Sequence, residues 1–337
     1  MPQQKRKELT MSKSWTLDDI PPQKGRTFLI TGTGGLGFED AVALARAGAD
    51  VIIAGRNQAK GAEAVRRIKE RAPHTSVTLE MIDLASLASI EALAKRLKET
   101  RDHIDVLINN AGVMTPPTRQ TTKDGFELQF GTNYLGHFAL TGHLLPLLMR
   151  AQHPRVVTLS SIAVRSASAA INFDDLQAER GYKPMPVYTQ SKLACLMFAF
   201  ELQRRSQEAG WGVTSIAAHP GVSRTDLLHN APGRHSIQGL LRTFLWFLFQ
   251  PVAQGALPTL FAATSQNARG GGYYGPDRLG ETRGHPTEAK IPRQAMEKHV
   301  AHKLWEMSEK LTGISFNAQA PTLELSSRGT TTIAREG

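Results

Sequence analysis

The feature that most limits what this chain can fold into lies near its start. Thr27-Phe-Leu-Ile30 is a short apolar run that leads directly into Thr31-Gly-Thr-Gly-Gly-Leu-Gly37. A helical pattern follows from Glu39 to Ala47, is closed by Gly48, and gives way to a second apolar run, Asp50-Val-Ile-Ile-Ala54. Strand, glycine turn, helix and strand in this order make a βαβ unit, because two parallel strands need a crossover connection. Backbone N–H groups at a helix N-terminus hold phosphate, and glycines let a pyrophosphate approach the chain. Gly32, Thr33, Gly34, Gly35, Leu36 and Gly37 are therefore the candidate phosphate turn.

The alternation continues. The pattern predicts a charged helix over about 58–72, a strand over 75–82, and a helix over 87–99 capped by Ser86. A strand over 104–108 runs into Asn109-Asn-Ala-Gly112, and a helix covers 124–150 with a break before Pro146. A strand over 155–159 meets Ser160-Ser161, a polar segment follows, and Val187 to Glu208, free of Gly and Pro, reads as a helix. The strand over 213–217 meets His219-Pro-Gly221, and a last helix covers 293–312. Six or seven strands alternating with helices predict an α/β fold: one doubly wound, mainly parallel sheet with helices on both faces. No linker divides it. We expect a flexible tail over 1–24, one domain over 25–316 with a substrate lid at about 222–265, and a disordered polar tail over 317–337.

Composition narrows the function classes. The single cysteine, Cys195, rules out an intrachain disulfide and a cysteine-based metal cluster, and fits a cytoplasmic, reducing setting. The net charge of +10 is spread along the chain without interleaved aromatics, which argues for solvated tails and an anionic cofactor rather than nucleic acid. The longest apolar stretch, Leu240 to Phe249, is interrupted by Arg242 and stopped by Pro251, too short for a transmembrane segment. No metal-ligating constellation is expected.

In open α/β sheets ligands bind beyond the carboxyl ends of the strands. Asp83-Leu84 and Asn110-Ala111-Gly112 lie there. The second strand ends Ala54-Gly55-Arg56-Asn57 with no acid to bond a ribose 2′-hydroxyl, and Arg56 suits a 2′-phosphate. NADP(H) is thus expected over NAD(H). Tyr188 and Lys192, four residues apart, share one helix face. A phenol is a poor acid or base near neutrality, and a neighbouring cation favours its ionised form. Such a pair can exchange a proton with a substrate oxygen. His137, His143 and His219 read as structural.

Jointly these motifs resemble the short-chain dehydrogenase/reductase family, and within it the branch of retinol dehydrogenases, the WW-domain oxidoreductase and protochlorophyllide reductase. The resemblance covers about residues 25–275. It rests on Thr31-Gly…Gly35-Leu-Gly37, Asn109-Asn-Ala-Gly112, Thr132-Asn-Tyr-Leu-Gly-His-Phe138, Leu159-Ser-Ser161, Tyr188-x-x-x-Lys192 and His219-Pro-Gly221, in family order. It implies a Rossmann-fold oxidoreductase of the carbonyl reductase or alcohol dehydrogenase kind, built as a homodimer or homotetramer. Tyr188 would donate or accept the proton, with Lys192 favouring its phenolate and bonding the nicotinamide ribose. Ser161 would bond the substrate carbonyl, and Asn133 would hold a relay water. Pro220, Gly221, Val222 and Thr225 would line the nicotinamide side, and Asn172-Phe-Asp-Asp-Leu176 would wall the site. One departure stands out: only Thr33 and Gly34 separate Thr31-Gly32 from Gly35-Leu36-Gly37, one residue fewer than in the family. The lid residues Leu227-Leu228 and Phe244 to Phe249 favour an apolar or aromatic alcohol or carbonyl. The competing readings are a non-catalytic NADP-binding regulator of the same fold and a methyltransferase-like protein, which leaves the Tyr188/Lys192 pair unexplained.

Overall fold

The computed structural model describes residues 14–223 and 250–317. Its first half alternates strand and helix: β1 Thr27–Thr31, α1 Gly35–Arg46, β2 Asp50–Gly55, α2 Gln58–Arg71, β3 Val77–Met81, α3 Leu87–Thr100 and β4 Val106–Asn109. There follow α4 Leu128–Phe130, a π-helical turn at Gly131–Leu135, α5 Gly136–Leu148, β5 Arg155–Leu159, α6 Pro184–Ala209 and β6 Thr214–Ala218. The described chain closes with α7 Val252–Thr264, β7 Tyr273–Arg278, β8 Arg283–Glu288 and α8 Lys298–Thr312.

The strands form one eight-stranded sheet in the order β3-β2-β1-β4-β5-β6-β7-β8. All neighbours are parallel except β7 and β8. The apolar runs read as strands because both faces are covered: Phe28, Leu29 and Ile30 are fully buried, as are Val106, Leu107 and Ile108. One core joins the sheet to α3, α5, α6 and α8, and the other joins it to α1, α2 and α7. The strand order reverses between β1 and β4, and the crevice at that switch point is the general ligand position of such sheets.

Three differences from the sequence expectation have physical causes. The eighth strand, β8, is half-buried at the sheet edge and reads Arg-Gly-His-Pro-Thr-Glu, so no apolar alternation announced it. The long helix expected over 124–150 starts at Leu128, swells into the π turn, and does not break before Pro146, which sits inside α5. Residues 14–24, assigned to a flexible tail, pack onto the domain. Trp15 stands edge-on to Phe261 at 5.5 Å, and Gln23 N–H donates to Ala47 O at 2.7 Å. At the other end Trp305 of α8 stacks on Phe198 and meets Phe316 at 4.5 Å, so Phe316 packs into the core; residues 318–337 of the expected polar tail lie outside the described residues.

Candidate active site

The phosphate turn is built by close packing. Thr31 Oγ1 accepts the N–H groups of Asn110 and Ala111 at 2.9 and 3.0 Å, so the loop after β4 hangs on the end of β1. Asn110 Nδ2 donates back to Thr31 O at 2.7 Å. A Cβ on Gly37 would lie 2.5 Å from Gly32 O and 2.7 Å from Asn110 Nδ2, so only glycine fits there. Gly34 caps α1 in an extended conformation, and α1 begins at once at Gly35, with φ +54°. The turn is short, and Thr33 leans across β2: its Cγ2 lies 2.7 Å from where a Cβ on Gly55 would stand.

His137 lies beneath this turn. Its Nδ1 is 2.8 Å from Asn133 O, which can only accept, so Nδ1 carries the proton and Nε2 accepts from the Thr31 hydroxyl at 2.9 Å. Burial, set against the Asn133 hydrogen bond, pushes the imidazole down to about 4.

Asn133 sits in the π turn and is fully buried. Its Oδ1 accepts Val113 N–H at 2.7 Å, while its Nδ2 donates to Val113 O at 3.0 Å and Ser191 Oγ at 2.9 Å. The side chain thereby ties the loop after β4 to α6. Its carbonyl accepts from His137 and, at 3.2 Å, from Cys195 Sγ.

Tyr188 and Lys192 occupy one face of α6, which Pro184 starts and Gly210, with φ +68°, ends. Lys192 Nζ donates to Leu159 O at 3.0 Å, which places the ammonium at the end of β5. A Cβ on Gly112 would lie 3.6 Å from that Nζ and 3.0 Å from Asn133 Oδ1. The two serines at the end of β5 divide their roles. Ser160 Oγ donates to Lys192 O at 2.8 Å and is buried, so it is structural. Ser161 Oγ accepts Ala163 N–H at 3.2 Å, caps a short 3-10 turn at Ile162–Arg165, and opens on a cavity.

That cavity, of about 450 Å³, gathers Gly32, Gly34, Gly35 and Leu36 from the turn, Asn110, Ala111 and Gly112 from the loop after β4, Ser161, Tyr188 and Lys192, and Pro220, Gly221 and Val222 after β6. A second cavity of about 320 Å³ shares Gly32, Ala111 and Gly112 with it and adds Thr33, Arg56, Asp83 and Leu84. The pair lies along the carboxyl ends of the strands, with Arg56 lining one cavity and Tyr188 the other. Gly37 packs beneath the turn instead of lining either cavity, and Thr225 lies outside the described residues. So do Leu227, Leu228 and Phe244 to Phe249 of the expected lid. Ser223 and Gln250 pair beside the first cavity.

Sequence reasoning missed several lining residues. Met114, Ile162, Ala163 and Met185 make the apolar wall. Lys60 joins Arg56 in the second cavity, where Asp83 is countered by Lys123 at 3.3 Å. Lys60 follows the N-cap Asn57 by three residues, a spacing that could have placed it. Asn172–Leu176 does not line the cavity: Asn172 N–H and Leu176 O are pinned to the side chain of Gln190 on α6. Among the described residues no cluster suits a metal ion, and no helix is long and apolar enough to cross a membrane.

Tyr188, Lys192 and Ser161 line one cavity at the switch point of the sheet, the general ligand position of such folds. The chain belongs to the short chain dehydrogenase family, whose profile matches residues 26–234, and acts on CH–OH or C=O groups. Its relatives place it in the retinol dehydrogenase-like branch. Retinol dehydrogenase 13 of Mus musculus is 37% identical over 303 residues, covering 88% of this chain and 86% of that protein. Polyprenol dehydrogenase of Homo sapiens is 38% identical over 301 residues, covering 88% and 87%. A crystal structure of an uncharacterised protein from Mycobacterium Paratuberculosis superposes with a TM-score of 0.75 at 38% identity, covering 91% of this chain and all of that one. Pseudomonas aeruginosa RhlG, at 24% identity and a TM-score of 0.59 over 74% of this chain and 94% of that one, shares the fold.

Proposed function

We propose that the chain is an NADP(H)-dependent dehydrogenase or reductase of an apolar alcohol or carbonyl compound, with Tyr188 as general acid/base. One observation carries this: Tyr188, Lys192 and Ser161 open on a single cavity that continues, past the glycine turn, to a second one holding Arg56 and Lys60. When bound, the nicotinamide cofactor supplies or takes up the hydride at the substrate carbon. In the reducing direction Tyr188 gives its phenolic proton to the substrate oxygen as that hydride arrives. The Ser161 hydroxyl donates to the same oxygen and stabilises its developing charge. Lys192 has three N–H donors and uses one at Leu159 O. The others serve the cofactor ribose and the phenolate that Tyr188 becomes.

Arg56 and Lys60, with no acid at the end of β2, support a 2′-phosphate in the second cavity. Met114, Ile162, Ala163 and Met185 support an apolar substrate. The names of the relatives make all-trans-retinal and a short polyprenol the first probes. Asn133 as the anchor of a relay water, a cytoplasmic setting, and a homodimer or homotetramer belong to the same reading; the last is read out by sedimentation.

Titration of the full chain with NADPH and NADH, followed by turnover of all-trans-retinal and a carbonyl panel with the reduced cofactors and of the polyprenol with NADP+ and NAD+, tests the proposal. Tighter NADPH binding with turnover is expected. NADPH binding without turnover of any carbonyl or alcohol would favour a regulatory protein, and binding of neither cofactor would overturn both readings.

A further inference from the structure

The edge of the active-site cavity formed by Pro220, Gly221 and Val222 follows β6 as irregular chain, and something must hold it in place. The tip of the β7–β8 hairpin does. Val222 N–H donates to Thr282 O at 2.8 Å. A Cβ on Gly221, which has φ +63°, would stand 2.4 Å from that same Thr282 O, so the hairpin backbone and the cavity edge are in closest contact. Gly221 N–H donates to His219 Nδ1 at 3.2 Å. Nδ1 is therefore the bare nitrogen, and the proton sits on Nε2, which donates to Glu281 Oε2 at 3.2 Å.

Glu281 itself is held from three directions. Lys290 N–H donates to its Oε1 at 3.0 Å, and Arg165 Nη1 lies 3.7 Å from its Oε2 while also donating to Gly280 O at 2.8 Å. Burial works to raise the carboxyl, but His219, the Lys290 N–H and Arg165 outweigh it and leave Glu281 below the usual carboxylate range. Leu279, Gly280 and Glu281 all have positive φ, so two non-glycine residues are held in the left-handed region at the tip. Arg165 ends the 3-10 turn that starts after Ser161. Glu281 thus touches both the turn behind the catalytic serine and the histidine that fixes the opposite edge.

We propose that Glu281 is a positioning residue for hydride transfer: through His219 it holds Pro220–Val222 at a set distance from Ser161 and Tyr188. This rests on the cofactor reading above, in which that edge meets the nicotinamide. Tautomer choice is the device. With Glu281 accepting from Nε2, the imidazole presents Nδ1 as the acceptor that folds Gly221 back; without it, the other tautomer removes that acceptor.

The test compares full-length wild type with Glu281→Ala and Glu281→Gln, using NADPH, 2′,5′-ADP and all-trans-retinal. Glu281→Ala is expected to lower kcat by roughly 10- to 100-fold and to reduce the emission change of bound NADPH. Its affinity for 2′,5′-ADP, which reports only the Arg56 side, should stay within about twofold. Glu281→Gln keeps an oxygen for His219 and should recover most of both losses. Circular dichroism sets the folded fraction; a purely structural role would lower 2′,5′-ADP binding in step with kcat. Wild-type kcat and NADPH emission in Glu281→Ala overturn the inference alone. Wild-type protein that does not bind NADPH overturns the cofactor reading and this inference with it. The emission change decides the matter even where retinal is not turned over.

Discussion

Lys192 Nζ donates to the carbonyl oxygen of Leu159 at 3.0 Å, so the ammonium one helical turn from Tyr188 is anchored to the strand that carries Ser161. Helix and strand are thereby locked at the point where proton transfer is proposed. Ser160 repeats the link in reverse, donating to Lys192 O.

Tyr188→Phe removes the phenolic oxygen and leaves these anchors in place. Turnover should fall by about 10²- to 10⁴-fold, the usual worth of general acid/base help, with NADPH affinity preserved. Steady-state kinetics beside a fluorescence titration reads both quantities. Wild-type turnover in the variant would remove Tyr188 from the proton-transfer role.

Arg56→Asp places an acid at the end of β2, where it can accept from a ribose 2′-hydroxyl and repel a 2′-phosphate. Loss of one charge-assisted contact is worth about 1.5–3 kcal/mol. The ratio of NADPH to NADH affinity should therefore fall by at least roughly tenfold. An unchanged ratio would leave Lys60 as the group that reads the phosphate, and Lys60→Ala would then carry the effect.

His137 should make stability depend on acid. Its folded value of about 4 lies below the ordinary 6.5, so between these the unfolded chain binds a proton that the folded chain excludes. Stability from this group is complete above the ordinary value and is lost as pH falls through that window, by on the order of 3 kcal/mol. Protonation of Nε2 would also cost Thr31 its acceptor. Urea denaturation of wild type and His137→Gln at a series of pH values isolates the term as their difference. A difference that does not change with pH would contradict it.

Asp40 in α1 is fully buried, with neither carboxyl oxygen partnered among the described residues. Burial, with Glu39 beside it, pushes the carboxyl well above its ordinary value. The folded chain then holds a proton that the unfolded chain releases, so stability is lost as pH rises from about 4 through the folded value. Asp40→Asn keeps the shape without the ionisation. It should gain on the order of 1–3 kcal/mol over wild type at alkaline pH, and less in acid. Melting temperatures at pH 5.5 and 8.5 measure this, and an equal shift at both would refute it.

The strands, the glycine turn and the Tyr188 helix were readable because each depends on local pattern: apolar runs buried on both faces, glycines at a turn, and an unbroken helical stretch. Ser161, Tyr188, Lys192, Gly112 and Arg56 fall in the two cavities for that reason, each lying at a strand end or one helix turn apart. The sequence pattern sets Asn133 on a helix, but the π turn that aims its amide at Val113 and Ser191 leaves no periodic mark. The resemblance sets Asn172–Leu176 against the cavity, yet Gln190 pins it elsewhere, because two hydrogen bonds to α6 decide its course.

What the sequence determined by itself was therefore the mainly parallel sheet and the kinds of groups arriving at its strand ends, since strand and helix periods are properties of neighbouring residues. Only the tertiary structure decided which groups act together. Leu159 and Lys192 are 33 residues apart, Asn133 and Ser191 are 58, and His219 and Glu281 are 62. Contacts across such separations are chosen by how the elements pack, and no local pattern records them.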